Sequence, residues 1–139
     1  MESNASRESN DRNLAVIAHL SVFFAPLLAP GVLFAAHKRE SFVARQAAEA
    51  LNFHITWFIV QMIAAFGVTA YWIIGFLGLA SSVAARSPTG FAAIFGSLFL
   101  ILPLFALLAL VPVIFGIVAA LRVSRGEDYR YPLTIRFFR

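Results

Sequence analysis

Polar and apolar residues are segregated in blocks of tens of residues, not turn by turn. Residues 1–13 are polar and mix both charge signs, with too little apolar content to bury, so they read as a disordered tail. Residues 14–36 then run for 23 positions with no acidic or basic side chain except His19. As a helix that run reaches about 34 Å, enough to cross a hydrocarbon core of roughly 30 Å. Pro26, Pro30 and Gly31 are expected to kink it, because proline removes a backbone donor. A polar connection comes next, with Lys38, Arg39, Glu40, Arg45 and Glu49, in which Ser41 is placed to cap a new helix. It reads as a short interfacial helix leading into a second span, with Arg45 and Glu49 paired at i,i+4.

Residues 50–85 contain no charged group over 36 positions, too long for one perpendicular span and too short for two with a turn. One tilted helix that protrudes at its end fits this length, with a re-entrant turn between Gly67 and Gly78 as the alternative that would raise the span count to four. Arg86-Ser87-Pro88-Thr89-Gly90 marks the return of the chain. The third apolar run, residues 91–121, carries Pro103 and Pro112 and is expected to bend there, with its span beginning near Gly96. Arg122 and Arg125 suit a helix C-terminus, and Gly126 suits the left-handed position beyond it. Residues 129–137 alternate large or apolar with mostly polar side chains, as an extended segment at a membrane interface would, with Tyr129, Tyr131 and Phe137 as its anchors.

The expected fold is therefore all-α and integral to the membrane. It has three transmembrane helices (about 14–36, 50–79 and 97–121), a short interfacial helix before the second, and an extended interfacial C-terminal tail over 126–139, so that 14–125 form a single membrane domain. Composition agrees: the chain is 60% hydrophobic and 13% charged, with a mean hydropathy of +0.82. The net charge of +4 comes from basic residues that flank apolar runs instead of covering one face, which points to anionic lipid headgroups and not to nucleic acid. In a three-span arrangement Arg7, Arg12 and Arg86 share one side and eight other Lys and Arg residues the other. The positive-inside rule then puts the C-terminus in the cytoplasm and the N-terminus outside a plasma (inner) membrane crossed several times.

Polar residues inside apolar helices are expensive in lipid and mark candidate sites. Asn52 and Thr56 lie one turn apart, with Gln46, Glu49 and Phe53 on the same broad face, and His54 and Gln61 share a second stripe. Together with His19, Tyr129, Tyr131 and Arg136 they form the candidate polar or partner surface, as interhelical hydrogen bonds or as a contact strip. In the three-span arrangement His19 and His54 fall near opposite membrane surfaces, which argues against a shared metal. With no Cys, no His-Glu-x-x-His, no phosphate loop and no nucleophile elbow, neither a catalytic residue, a metal nor a cofactor is expected. The adjacent acidic residues Glu127 and Asp128 read as solvated members of the tail. The small-residue pairs Ala92/Gly96 and Gly116/Ala120 would permit close helix contact, within the chain or in an oligomer, although chance gives such spacing readily in a chain this rich in Ala and Gly.

Three blocks carry a family resemblance: residues 11–21 (DRNLAVIAHLS), residues 49–55 (EALNFHI) and residues 126–136 (GEDYRYPLTIR). In this order they resemble the small bacterial membrane family of unknown function classed as Tic-twenty-like, which is related to a chloroplast inner-envelope import subunit. The resemblance covers the chain from Asp11 onward. It implies a small helical scaffold or accessory subunit in transport or membrane-protein handling, working beside other membrane proteins or copies of itself. The plastid relative is described as a four-helix channel component, whereas this sequence has room for three helices. A homo-oligomeric channel or transporter component is the first alternative function, and an enzyme or cofactor binder using His19 or His54 the second.

Overall fold

The computed structural model describes residues 4–86 and 89–138. Four helices succeed one another: α1 (Asn4–Leu20), α2 (Leu28–Ala36), α3 (Phe42–Ala84) and α4 (Thr89–Ser124). Among the described residues there is no strand. The chain divides into two compact units. One comprises Met1–Phe58 and Val111–Arg139, the other Ile59–Leu110, so the division falls inside both long helices.

The first apolar run is not a span. It breaks into the end of α1, a 3-10 turn at Ser21–Phe23, an irregular link and the nine residues of α2. Ser21 Oγ donates back to the Ala18 carbonyl at 2.7 Å, and the amides of Phe24 and Ala25 both turn onto the Ser21 carbonyl. Pro26 and Pro30, four residues apart, then withhold two consecutive-turn donors, and each ring crowds the carbonyl four residues earlier. The sequence predicts a kink here, but two prolines at this spacing leave α2 only about 14 Å long, half a bilayer. Two helices, α3 and α4, are long and apolar enough to cross a membrane, and a three-span arrangement is not supported. The outside placement of the N-terminus, which depends on three spans, is withdrawn with it.

Three further expectations change. The tail expected to be disordered is helical from Asn4 onward, as the first turns of α1. The interfacial helix before the second span is not separate but opens α3, which runs 43 residues without a break, through Gly67, Gly75 and Gly78, and so excludes a re-entrant turn there. Ser41 does cap it: its Oγ accepts the Ala44 amide at 3.2 Å. The third helix starts at Thr89 instead of near Gly96 and continues through both Pro103 and Pro112. Of the turn predicted between α3 and α4, Ser87 and Pro88 lie outside the described residues.

α4 ends as its sequence suggests. The Gly126 amide donates to the Val123 carbonyl at 2.9 Å and the Glu127 amide to the Arg122 carbonyl at 3.2 Å, with Gly126 at φ +81°. This is the paired closure of a Schellman motif, which requires a left-handed residue and so favours glycine.

The Ile59–Leu110 unit is a helical hairpin. Gly75 faces Ile94 and the Gly67–Tyr71 side of α3 faces Ser97 and Ile101 across a shallow cleft, while Gly90 lies against Leu79 and Ser82. Its outer surface is apolar: Phe66, Ile74, Phe99 and Leu100 are 69–83% exposed. In water such a surface would cost roughly 25 cal/mol per Å2, a penalty that lipid removes. In the other unit Gly116 of α4 lies under α1, where a Cβ would come within 3.3 Å of the His19 carbonyl oxygen, so this glycine serves close packing and is not a chance member of a small-residue pair.

A Cβ at Gly90 would strike the Ser82 side chain and stand 3.0 Å from Leu79 Cα, which is backbone and cannot yield. Gly90→Leu should lower the thermal unfolding midpoint of the detergent-solubilised protein, by the equivalent of about 1–3 kcal/mol. Gly67→Ala, which meets nothing within 4 Å, should leave it unchanged or raise it slightly.

Candidate functional site

The terminal unit is organised around His19, on the last turn of α1 and fully buried. Its Nε2 lies 3.1 Å from Gln46 Oε1 and its Nδ1 lies 3.0 Å from the Tyr131 hydroxyl. The Gln46 amide nitrogen donates to Asp128 Oδ1 at 3.0 Å, which fixes the amide so that its oxygen faces the histidine. An amide oxygen only accepts, so His19 carries its proton on Nε2 and accepts the Tyr131 O–H at Nδ1. The relay therefore runs Tyr131 to His19 to Gln46 to Asp128, joining α1, α3 and the C-terminal segment. Asp128 is exposed yet tied down, since Arg45 Nη2 meets it at 3.3 Å. Arg45 thus pairs with Asp128 and not with Glu49, contrary to the i,i+4 expectation.

Aromatic rings close over this relay. Phe53 stacks on Tyr131 with ring centroids 4.0 Å apart and planes within 8°, and Tyr129 meets both His19 and Tyr131 edge-on. Residues 129 and 131 point the same way from an extended segment, the period-two pattern seen in the sequence. The face they make is covered by protein: Tyr129 and Tyr131 are 7% and 5% exposed, so they do not anchor the tail at headgroups. Burial raises the pKa of both hydroxyls above the usual phenol value. For His19 burial outweighs the Gln46 hydrogen bond and lowers its pKa from 6.5 to about 4, so the ring is neutral at pH 7.

The rest of the tail is held through its backbone. Asn52 Oδ1 accepts the amides of Phe137 and Phe138, each at 2.9 Å, and its Nδ2 donates to the Phe138 carbonyl at 2.9 Å. Thr56 Oγ1 accepts the Ile135 amide at 3.0 Å and donates to the Asn52 carbonyl at 2.8 Å. His54 Nδ1 donates to the Pro26 carbonyl, which Pro30, lacking an N–H, cannot satisfy from within α2. Its Nε2 is buried with no partner, as is Glu49 Oε2. Glu49 and Arg136 line one cavity of about 320 Å3 together with Arg45, Gln46, Asp128 and Arg130.

The structure thus gathers His19, Tyr129, Tyr131, Asn52, Thr56, Glu49, Arg136 and His54 into one unit, with His19, Tyr129 and Tyr131 in one connected set, which His54 joins through the Phe53 ring, and Asn52 with Thr56 in a second set that holds the tail backbone. His19 and His54 share that unit, so their assignment to opposite membrane surfaces falls with the three-span arrangement. Gln61 belongs to the hairpin and does not join them. Sequence reasoning puts Gln46 and Phe53 on the polar strip of α3 without singling them out, and passes over Asp128, which it reads as a solvated member of the tail. The sequence signal for them is a cluster of amides and an aromatic on one face of α3, opposite a tail with its own two-residue period. Among the described residues no three His, Asp or Glu side chains converge as a metal site needs.

Removing the imidazole strands the buried Tyr131 hydroxyl, at about 1–3 kcal/mol, and leaves Gln46 Oε1 with only the long bond from the Tyr129 amide at 3.4 Å. His19→Leu should therefore loosen residues 126–138, seen as faster tryptic cleavage after Arg130 and lost amide protection at Tyr129. Acid should act the same way on the intact protein. The unfolded chain protonates His19 near pH 6.5 and the folded one only near pH 4, so this contribution is intact above pH 6.5 and declines by about 1.4 kcal/mol per pH unit down to about 4. Tail protection should fall over that window in the wild type, and the His19-dependent part of the fall should be missing from His19→Leu.

Residues 10–138 match the family described as the magnetosome magnetite crystal formation protein family (MamF/MmsF). Nothing among the curated proteins or the solved structures matches the chain. The Tic-twenty-like assignment is thereby corrected: the three blocks that suggest it, residues 11–21, 49–55 and 126–136, lie within the matched range, and in space they supply His19, the Phe53 ring that covers the relay, and Asp128 with Tyr131.

Proposed function

The chain belongs to the magnetosome magnetite crystal formation protein family, and from that premise we propose that it is a non-enzymatic membrane scaffold that supports growth of the magnetite crystal from within the magnetosome membrane. The observation that carries this reading is the extent of the family match, which takes in both the apolar hairpin and the clamped tail. The hairpin supplies the anchor, since its outward side chains suit lipid and not water. The terminal unit supplies a defined surface. His19, Gln46, Asn52, Thr56 and Tyr131 spend their side-chain hydrogen bonds internally, and Tyr129 is held by its ring, so they act as fasteners. What they hold in place is the mouth of the cavity around Glu49, where both charge signs are offered to another membrane protein or a second copy.

Two crossings return the chain to the side it left. Ten of the eleven Lys and Arg residues precede or succeed the hairpin and Arg86 alone sits at its turn, so the positive-inside rule puts both termini in the cytoplasm. In isolated magnetosomes a membrane-impermeant thiol reagent should label Asn10→Cys and Arg125→Cys at once, and Arg86→Cys only after permeabilisation. Immediate labelling of Arg86→Cys would refute this topology. Deletion in a magnetosome-forming cell should shift the crystal size or shape distribution in electron micrographs, with wild type restoring it and His19→Leu restoring it only in part. Crystals indistinguishable from wild type after deletion would sink the scaffold reading.

A further inference from the structure

The last stretch of the tail has a conformation and an exposure that the relay does not explain. Leu133 adopts φ +57°, a left-handed backbone that a side chain disfavours and that Gly, Asn or Asp would adopt more readily. It is also 95% exposed, the most exposed large apolar residue of the described chain. Ile135 is 55% exposed and Phe137 49%, and Arg130 and Arg136 flank them, both exposed. A turn that carries an apolar side chain in a strained conformation, into open space between two arginines, has the composition of an interfacial anchor and not of a solvated loop.

Its place along α3 points the same way. Phe137 and Phe138 are pinned at Asn52 and Ile135 at Thr56, so reading the tail backwards advances along α3 in register. Tyr131 then packs back on Phe53, so the chain reverses at the Pro132–Leu133–Thr134 turn, next to the Ile135–Thr56 bond. On α3 the same direction leads from the buried polar positions to Phe58, which is 52% exposed, within the uncharged run that begins at Ala50. The tail therefore brings its apolar turn to the level where the helix surface itself becomes apolar.

We propose that the Pro132–Leu133–Thr134 turn is a membrane wedge: Leu133 and Ile135 insert into the interfacial layer of the bilayer that holds the hairpin, while Arg130 and Arg136 engage the phosphates of anionic lipids. This rests on the membrane-anchored reading above. The arginines supply about fivefold each in occupancy of the inserted state, the equivalent of about 1 kcal/mol per residue near an anionic surface. The wedge makes the clamped tail a second attachment of the terminal unit to the membrane, independent of the hairpin.

The chain has no cysteine, so single-cysteine variants can carry an environment-sensitive fluorophore without background. The full-length protein would be placed in nanodiscs of phosphatidylcholine alone or with phosphatidylglycerol, and labelled at Leu133→Cys or, as a reference within the hairpin, at Phe99→Cys. The label at 133 should blue-shift and be quenched by shallow lipid-borne quenchers when phosphatidylglycerol is present, and Arg130→Gln with Arg136→Gln should reverse this. A label at 133 that stays aqueous while the label at 99 is quenched would overturn the wedge and leave the membrane anchor standing. If neither label is quenched, the anchor itself fails. Protection at 133 that ignores lipid charge and disappears when each nanodisc holds a single chain would make a second copy the occupant, and would equally overturn the proposal.

Discussion

One buried histidine holds three distant parts of the chain together. His19 joins α1, α3 and the tail with directional bonds, with both ring nitrogens used, and Gln46 links the same three parts beside it. Its neutral state is set by burial, and its tautomer is set one residue further out, by the Gln46 amide that Asp128 orients. Each member is fully specified only if the others are present. Such a network costs little when complete and much when broken, which gives the terminal unit one arrangement rather than several.

That arrangement explains why a chain with so apolar a composition still carries a polar centre. Its long helices end in a unit whose core is made of alanines on α1 and α3, two tyrosines and Phe53, with amides and hydroxyls sealing the seams. Alanine lets the helices approach, and the tail then fills the remaining space with aromatic rings. The hairpin does the opposite, burying little and turning large side chains outward. The division between the two falls inside each long helix, where side chains that face protein give way to large apolar side chains that face outward.

The sequence is readable where a signal is local. Ser41 caps α3, and Gly126 closes α4 in the left-handed turn that its place after Arg122 and Arg125 suggests. Both are decided by a few neighbouring residues. The run from 14 to 36 misleads because a hydropathy count registers side chains and not missing backbone donors, and Pro26 with Pro30 removes two about one turn apart. The tail's alternation is visible and correctly implies one covered face, but periodicity does not say what covers it. A membrane surface and the flank of α3 give the same pattern. Gln46 is legible only in part for a related reason: its place on the polar strip of α3 is visible, but the role of an amide in an alanine-rich helix is undefined until the residue across from it is known, and His19 is 27 positions away.

At Asn52 a side chain stands in for a strand. Its carboxamide offers the tail a donor and an acceptor in the geometry of a neighbouring peptide bond, and the tail answers with main-chain groups from Phe137 and Phe138. Recognition through the main chain is indifferent to the side chains it carries. Position 137 is consequently open to drift so long as it does not become proline, while Phe138 also packs its ring on Phe34, and position 52 accepts almost no replacement, because aspartate lacks the donor and glutamine places the same groups one methylene too far out.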